Sequence, residues 1–376
     1  MKVWFNNKKY EGSDFFKNKD LVQKFYFLKP LFEFTNFWFS ETQIWVAKTS
    51  GSTGIPKNIE ISKNQMEASA KASLLFFDFE KKNDGLILCL SASHVGGFMV
   101  LVRAILGDLD LWILEPSSKP IPFSSEILKK RKWFVSMVPL QFASFIKEQE
   151  NIISSFKGIL LGGAPIQDSN ELNLKSLQCP VYQSYGMTET VSHIAIRNIY
   201  KPKNVIDIKS QPFVILPGIE IRQNEQNCLK VKGAVTNQEW IQTNDLVKIL
   251  DEKSFFFLGR VDDVINSGGL KINPIEIKSL LETVLFKQVL EFQILGIADQ
   301  NLGEKVVLAF EINGNPEFQS EQFWPLVFEK LAEQIDSRLL PRSVFGLHQL
   351  PKTDNMKFDK PKLRLLIKDS RPIWEK

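Results

Sequence analysis

The ten residues Lys48-Thr49-Ser50-Gly51-Ser52-Thr53-Gly54-Ile55-Pro56-Lys57 carry more information about the fold than any other stretch of this chain. They place two glycines, four hydroxyl side chains and two lysines between an apolar run, Ile44 to Ala47, and a helical pattern that begins near Ser62. Such a loop presents backbone N–H groups and hydroxyl donors to a bound anion, and glycine lets the backbone approach a phosphate closely. The loop therefore predicts a polyphosphate site over which Lys57 can close.

The composition predicts a soluble protein of more than one domain. A chain of 376 residues exceeds one ordinary domain, and a net charge of +4 gives no case for a nucleic-acid surface. The three cysteines form no CxxC pair, so neither a disulfide framework nor a zinc site is expected and the predicted location is the reducing cytoplasm. No apolar run approaches the roughly 20 residues that span a bilayer, and we expect no integral membrane association.

Strand-like and helix-like patterns alternate from about residue 43 to 185, which predicts an α/β fold with βαβ units around a largely parallel sheet. In such sheets ligands bind beyond the carboxyl ends of the strands. The phosphate loop and the turn Gly162-Gly163-Ala164-Pro165 both follow predicted strands, so both are expected at one crevice. The predicted strands are Leu86–Leu90, Leu111–Leu114, Trp133–Val138, Ile159–Leu161 and Val181–Tyr182.

The pattern changes after this alternating region. Short strands between about Pro212 and Leu258 predict a small β subdomain, and a compact region with mixed helix and strand patterns follows. That region has a predicted helix over Pro274–Thr283, strands over Gln293–Ile297 and Val306–Glu311, and a helix within Glu321–Ser337. We expect a large N-terminal domain over residues 1–259 and a small mobile α+β C-terminal domain over residues 260–376.

The turn Tyr185-Gly186-Met187-Thr188-Glu189 suits a nucleotide. Tyr185 offers a stacking face, Thr188 offers a hydroxyl to phosphate, and Glu189 offers a hard oxygen ligand for magnesium. Taken alone, a Tyr-Gly turn beside a Thr-Glu pair is more often structural, and a lone histidine such as His94 is also more often structural than catalytic.

Five motifs in this order resemble those of the adenylate-forming superfamily, which contains acyl-CoA synthetases, luciferases and peptide-synthetase adenylation domains. The resemblance implies that a carboxylate attacks the α-phosphorus of Mg-ATP, giving an acyl-adenylate and pyrophosphate, and that coenzyme A then displaces AMP. The first of these steps needs no protein nucleophile, because the substrate carboxylate attacks phosphorus. It needs the two anions to be positioned and the charge of the transition state to be compensated. The five motifs are the Thr49–Lys57 loop, Tyr185–Glu189, Asn244-Asp245 followed by Gly259-Arg260, Ile265–Ile272 and Pro351–Lys357.

The resemblance also implies roles for the matching residues. Asp245 and Arg260 would contact ribose or phosphate, Asp262 would be the hinge of the C-terminal domain, and the Gly268-Gly269 loop would line the coenzyme A tunnel. The implied catalytic residues are Lys357, which reaches the acyl carboxylate and the α-phosphate, Thr188, Glu189, which also binds magnesium, and His94, which borders the acyl pocket. The residues implied to bind ATP or coenzyme A are Thr49, Ser50, Gly51, Ser52, Thr53, Gly54, Lys57, Gly162, Gly163, Ala164, Tyr185, Gly186, Asp245, Arg260, Gly268 and Gly269.

Three positions depart from the superfamily pattern. Asn244 and Met356 stand where glycine is usual, and Lys360 stands where arginine is common. Together with the short region before the phosphate loop, these departures keep open a second interpretation, a degenerate nucleotide-binding homologue without ligase activity.

The acyl substrate is indicated by two segments, SYGMTETVSHIAIR at 184–197 and GRVDDVINSGGLKINP at 259–274, which most resemble the o-succinylbenzoate–CoA ligases of menaquinone biosynthesis. Their substrate is an aromatic dicarboxylate, so its second carboxylate needs a cation or hydroxyl cluster. The candidates are Ser192, His193, Arg197 and Arg103. A ligase for another aromatic or aliphatic acid remains the alternative, and the resemblance rather than any apolar pattern suggests a homodimer.

Overall fold

The structure of the protein is a computed structural model that describes residues 1–48, 57–122, 125–148, 156–163, 179–200, 211–285, 291–312, 316–352 and 358–376. The chain divides into two compact units: the first holds 1–224, 229–243 and 248–256, and the second holds 225–228, 244–247 and 257–376. The predicted domains, 1–259 and 260–376, assign Glu225–Cys228, Asn244–Val247 and Phe257–Gly259 differently, and that division stays a prediction.

Helices and strands alternate through the first unit and recur in the second. The helices of the described residues are α1 (Gly12–Lys17), α2 (Lys19–Lys24), α3 (Lys29–Trp38), α4 (Lys63–Phe76), α5 (Val95–Gly107), α6 (Pro139–Glu148), α7 (Pro274–Val284), α8 (Phe323–Ala332) and α9 (Lys360–Lys368). The strands are β1 (Lys2–Phe5), β2 (Lys8–Glu11), β3 (Ile44–Lys48), β4 (Asn58–Ser62), β5 (Asp84–Leu88), β6 (Asp110–Ile113), β7 (Lys132–Met137), β8 (Phe156–Leu161), β9 (Val181–Gly186), β10 (His193–Tyr200), β11 (Phe213–Ile215), β12 (Ile219–Gln223), β13 (Cys228–Gly233), β14 (Ile241–Asp251), β15 (Ser254–Arg260), β16 (Ile265–Ser267), β17 (Leu270–Ile272), β18 (Phe292–Asp299), β19 (Gly303–Glu311), β20 (Ser343–Leu347) and β21 (Trp374–Glu375).

The first unit is built on a sheet whose centre is parallel, as the sequence predicts. Strands β6, β5, β7, β8 and β9 lie side by side in that order, and every adjacent pair is parallel. Strand β10 continues the sheet antiparallel to β9. Helices α5 and α6 lie in the connections, because a parallel pair requires a crossover rather than a tight hairpin. All residues of β5 are buried, which is typical of a parallel strand covered on both faces.

The core of this unit contains aromatic side chains whose polar atoms are satisfied. The rings of Trp112 and Trp133 lie 5.7 Å apart, and both side chains are almost fully buried. The Trp133 Nε1–H donates to the Ile127 carbonyl at 3.0 Å, so burial of this indole leaves no unpaired donor. Paired aromatic rings of this kind stabilise the packing of the core.

Helix α4 begins at a capping box that follows an unpredicted strand. The Ser62 hydroxyl accepts from the Gln65 N–H at 3.2 Å, and the Gln65 side-chain oxygen accepts from the Ser62 N–H at 2.9 Å. Strand β4 pairs antiparallel with β3, with Lys48 opposite Asn58. The sequence did not predict β4 because its alternation, Ile59 and Ile61, is too short to separate from the helical pattern that follows.

The second unit has its own sheet, in the order β17-β16-β19-β20-β21, with β18 also paired to β19. The predicted helices and strands of this region correspond to α7, β18, β19 and α8, whereas β16, β17, β20, β21 and α9 were not predicted. Its core gathers Phe310, Trp324 and Leu331, each fully buried. No helix among the described residues is long and apolar enough to cross a membrane.

We expect Ser62→Ala to lower the free energy of unfolding by about 1 kcal/mol, because it removes the side-chain acceptor of the α4 capping box. Chemical denaturation followed by circular dichroism measures the change. Ser13→Ala is the control, since Ser13 is exposed and its hydroxyl contacts only the neighbouring Asp14 at 3.2 Å. Equal stability of Ser62→Ala and the control would contradict the expectation.

Candidate functional site

Three turns of the first unit lie beyond the carboxyl edge of its parallel sheet. Strand β5 ends at Leu88 before the loop to His94, β8 ends at Leu161 before Gly162, and β9 ends at Gly186. His94 has an exposed side chain and immediately precedes α5, six residues after Leu88, the last residue of β5. Because parallel strands end at the same edge, these turns border one crevice of the kind in which α/β sheets bind ligands.

Several predicted site residues lie outside the described residues, and their roles stay predictions. The polyphosphate loop joins β3 to β4, and Lys57, which follows it, has an exposed side chain. The residues outside the description are Thr49, Ser50, Gly51, Ser52, Thr53, Gly54, Ala164 and Lys357.

Three glycines at the crevice are favoured by the local structure, two by close neighbouring atoms and one by its backbone conformation. A Cβ on Gly162 would lie 2.5 Å from the Ser184 hydroxyl, and a Cβ on Gly186 would lie 2.0 Å from the Ser192 carbonyl. Gly163 has φ +82°, which side chains disfavour. At Gly186 the close neighbour is backbone, so a side chain is excluded there, whereas at Gly162 the Ser184 side chain would have to move.

Tyr185 and the turn after it form the candidate nucleotide surface. The Tyr185 ring is half-buried and packs 5.6 Å from the Phe213 ring and 5.2 Å from the Phe255 ring. Thr188 and Glu189 lie half-buried in a 3₁₀ turn. Val191, which follows this turn, has φ +67°, a conformation that costs a β-branched residue energy and is concentrated at functional sites.

The described residues hold no group of three or more metal-ligating side chains. Magnesium is usually bound by one or two carboxylates together with substrate phosphates and water. Glu189, a single half-buried carboxylate beside a nucleotide surface, fits that mode.

A buried polar cluster lies where α4, α5 and the start of β10 meet. Ser73, Arg103 and His193 are each at most 6% exposed. The Ser73 hydroxyl lies 2.8 Å from His193 Nε2 and 3.5 Å from the Arg103 guanidinium, while His193 Nδ1 lies 3.3 Å from the Ser192 hydroxyl. Arg103, Ser192 and His193 were candidates from the sequence, whereas Ser73 was missed because a serine within a helical pattern carries no distinguishing signal.

Arg103 is a buried cation without a carboxylate partner among the described residues. Burial lowers the pKa of Arg103 to about 10, so the guanidinium remains charged at neutral pH. Burial and the Arg103 charge lower the pKa of His193 to about 3, so this imidazole is neutral. Arg197, the other candidate, instead donates to the Gln183 side chain at 2.6 Å.

The second unit brings together the predicted ribose-binding pair and the predicted hinge residue. Arg260 donates to Asp245 at 3.0 Å and to Asp262 at 2.7 Å, and the Asn244 amide donates to both Asp262 oxygens at 3.0 and 3.2 Å. Burial disfavours the Arg260 charge, but these carboxylates outweigh it and raise the pKa of Arg260. Asn244, which stands where glycine is usual, therefore donates to Asp262 and leaves the contact between Asp245 and Arg260 intact.

The remaining predicted residues of this unit are in turns. Gly268 and Gly269, with φ +57° and +80°, form the two-residue hairpin between β16 and β17, a turn that favours positive φ at both positions. Lys352 and Phe358, the described residues on either side of the stretch that contains Lys357, form an antiparallel β-bridge. The Lys352 ammonium also contacts both oxygens of Glu291 at 2.8 Å.

Comparison with known proteins gives one matching family model, described as AMP-binding enzyme, over residues 43–234, just over half of the chain. A 2-succinylbenzoate–CoA ligase from Bacillus cytotoxicus is 27% identical over 344 residues, which cover 85% of this chain and 69% of the relative. A solved structure described as an acyl-CoA synthetase (AMP-forming)/AMP-acid ligase II-like protein, from Dyadobacter fermentans, is 32% identical with a TM-score of 0.55 and covers 89% of this chain and 93% of its own.

The fold is also shared with o-succinylbenzoate CoA synthetase from Bacillus subtilis, solved with its acyl-adenylate intermediate. This neighbour is 24% identical with a TM-score of 0.69, over 87% of this chain and 69% of the neighbour. The likeness confirms the predicted fold class, in which a mixed α/β sheet is accompanied by smaller sheets.

We expect the free energy of unfolding to decrease as the pH is lowered, and we expect part of this decrease to depend on His193. The folded pKa of about 3 lies below the ordinary value of 6.5, so the unfolded chain binds the proton first and folding loses up to about 1.4 kcal/mol per pH unit between those values. Denaturant titrations between about pH 6 and about pH 4 should show a shallower fall for His193→Gln than for the wild type. Parallel curves would show that His193 does not carry the effect.

Proposed function

The chain belongs to the AMP-binding enzyme family, and from that premise we propose that it is an ATP-dependent acid–thiol ligase acting on 2-succinylbenzoate. The relatives named 2-succinylbenzoate–CoA ligase support the substrate class. The proposed reaction activates a carboxylate as its adenylate, with release of pyrophosphate, and transfers the acyl group to coenzyme A with release of AMP. The proposed setting is the cytoplasm, where ATP and reduced coenzyme A are available.

The buried charge of Arg103 is the observation that supports a dicarboxylate. An isolated guanidinium in a protein interior is costly unless an anion and hydrogen bonds compensate it. Among the described residues its one hydrogen-bond partner is a hydroxyl at 3.5 Å. A second substrate carboxylate, the one that is not adenylated, would supply the missing counter-charge.

The adenylation step needs no protein nucleophile, because the substrate carboxylate itself attacks phosphorus. The protein has to hold two anions together and compensate the charge that develops on the transferring group. We assign the pyrophosphate side to the Thr49–Lys57 loop, the magnesium contact to Glu189 and the α-phosphate contact to Thr188. Lys357 is assigned to the acyl carboxylate and the α-phosphate, by resemblance.

Asp245 and Arg260 are proposed to bind the ribose and phosphate of the nucleotide. Their mutual hydrogen bond of 3.0 Å holds both side chains in one orientation before a ligand arrives. The thiol step is assigned to the Gly268-Gly269 hairpin, whose side-chain-free turn suits passage of the pantetheine arm. Asp262 is the proposed hinge residue, and its contacts to Arg260 and Asn244 connect it to the ribose-binding pair.

The degenerate-homologue interpretation loses part of its support in the structure. Asn244 leaves the Asp245–Arg260 ion pair intact and adds two hydrogen bonds to Asp262. A ligase for another acid remains the competing proposal, and the identity of the acid is what experiment has to decide.

A pyrophosphate-release screen over carboxylic acids, with and without coenzyme A, tests the proposal. We expect release with 2-succinylbenzoate and not with benzoate or fatty acids, and we expect loss of release in Lys357→Ala. Release with another acid alone would replace the substrate assignment. Unchanged release in Lys357→Ala would show that the adenylation assignment is wrong.

Arg103→Met should separate activity from stability. We expect kcat/KM for 2-succinylbenzoate to fall by about 10- to 150-fold, the equivalent of a charged hydrogen bond of about 1.5–3 kcal/mol. The free energy of unfolding should be unchanged or higher, because a buried charge without a protein partner is removed. Arg131→Met is the control for the removal of an arginine charge. Unlike Arg103, Arg131 has a carboxylate partner, Asp110, at 3.0 Å. A loss of stability without a change in kcat/KM would contradict the role of Arg103.

A further inference from the structure

The buried cluster around Ser73 has a defined hydrogen-bond direction. A guanidinium has donors only, so the Arg103 contact of 3.5 Å uses the Ser73 oxygen as acceptor. The Ser73 hydroxyl proton is then free to point at its shorter neighbour, His193 Nε2, at 2.8 Å. With the Ser73 hydroxyl as the donor of this bond, His193 Nε2 is the acceptor and carries no proton.

In that arrangement the proton of the neutral imidazole sits on Nδ1. That atom lies 3.3 Å from the Ser192 hydroxyl, which can accept it. Burial beside Arg103 keeps the pKa of His193 at about 3, which agrees with a single ring proton. The direction of donation thus runs from Arg103 to Ser73 to His193, and separately from His193 to Ser192.

We propose that His193, as the Nδ1–H tautomer, is a positioning residue that holds the Ser73 oxygen toward Arg103 and so orients the guanidinium for the second carboxylate of the acyl substrate. This inference rests on the proposed function, because it uses Arg103 as the cation of the acyl site. It adds two residues, His193 and Ser73, that act through Arg103 without touching the substrate.

The same cluster is connected to the candidate nucleotide turn. The Ser192 carbonyl lies 3.0 Å from the Thr190 hydroxyl, and this hydroxyl accepts from the Met187 N–H at 3.1 Å. Thr190 is fully buried and belongs to the 3₁₀ turn that carries Glu189. The Arg103 cluster is thus connected to the turn assigned to magnesium and phosphate. The connection runs through the peptide bond between His193 and Ser192 and through the hydrogen bonds of Thr190.

Three variants and one control separate positioning from simple structural support. His193→Phe keeps a ring but has no hydrogen-bond acceptor, whereas His193→Gln places an amide oxygen near the position of Nε2. Ser73→Ala removes the hydroxyl that contacts both His193 and Arg103. The control is Ser69→Ala, because Ser69 is buried on the same helix one turn before Ser73. Steady-state kinetics would give KM for 2-succinylbenzoate and for ATP separately.

We expect His193→Phe and Ser73→Ala to raise KM for 2-succinylbenzoate by about tenfold, the scale of one hydrogen bond, with KM for ATP unchanged. His193→Gln should restore most of the wild-type KM, and Ser69→Ala should match the wild type. Equal KM values in all variants, or a Gln variant no better than Phe, would overturn the inference while leaving the proposed function in place.

A spectroscopic readout does not depend on activity. The chain has 3 histidines, so ¹⁵N-histidine NMR of the full-length protein, compared with His193→Gln, identifies the signals of His193. We expect a protonated Nδ1 and an unprotonated Nε2 at neutral pH. An Nε2–H tautomer or an imidazolium would overturn the inference. If the wild type turns over no dicarboxylate, the proposed function fails, and these spectra still decide the hydrogen-bond direction.

Discussion

The parallel pairing of β5 through β9 is the constraint on which the rest of the first unit depends. Parallel neighbours need a crossover, so successive strands end at one edge and their following turns are brought together there. The loop before α5, the Gly162-Gly163 turn and the Tyr185–Glu189 turn are neighbours for this reason. A site can then be assembled from short motifs that are far apart along the chain.

A buried charge, that of Arg103, is the feature on which the proposed acyl site rests. Most buried polar groups of the first unit are satisfied locally, as the Trp133 indole is by the Ile127 carbonyl. Arg103 differs, because its positive charge is met by a hydroxyl and by a histidine that burial keeps neutral. A protein interior retains such a charge at a cost in stability, and binding of an anion is a function that would offset that cost.

The second unit shows how a departure from a family pattern can be accommodated. Asn244 stands where glycine is usual, yet its amide donates to Asp262 beside the intact Arg260–Asp245 pair. The ionised carboxylates around Arg260 make this a connected cluster rather than isolated surface pairs. A substitution that is unexpected in the sequence thus adds hydrogen bonds in the fold.

The α/β class, the five central strands and the order of the family motifs could be predicted from the sequence, because periodic apolar runs and glycine-rich turns are local properties. It missed β4, whose alternation is too short, and β20, whose parallel pairing with β19 is non-local. Which of the candidates for the second carboxylate lie together became clear from the three-dimensional packing. Ser73 and His193 are 120 positions apart and meet 2.8 Å from each other. Neither their contact nor the proximity of Arg103 is encoded in any local pattern, because it depends on how α4 and α5 pack beside the start of β10.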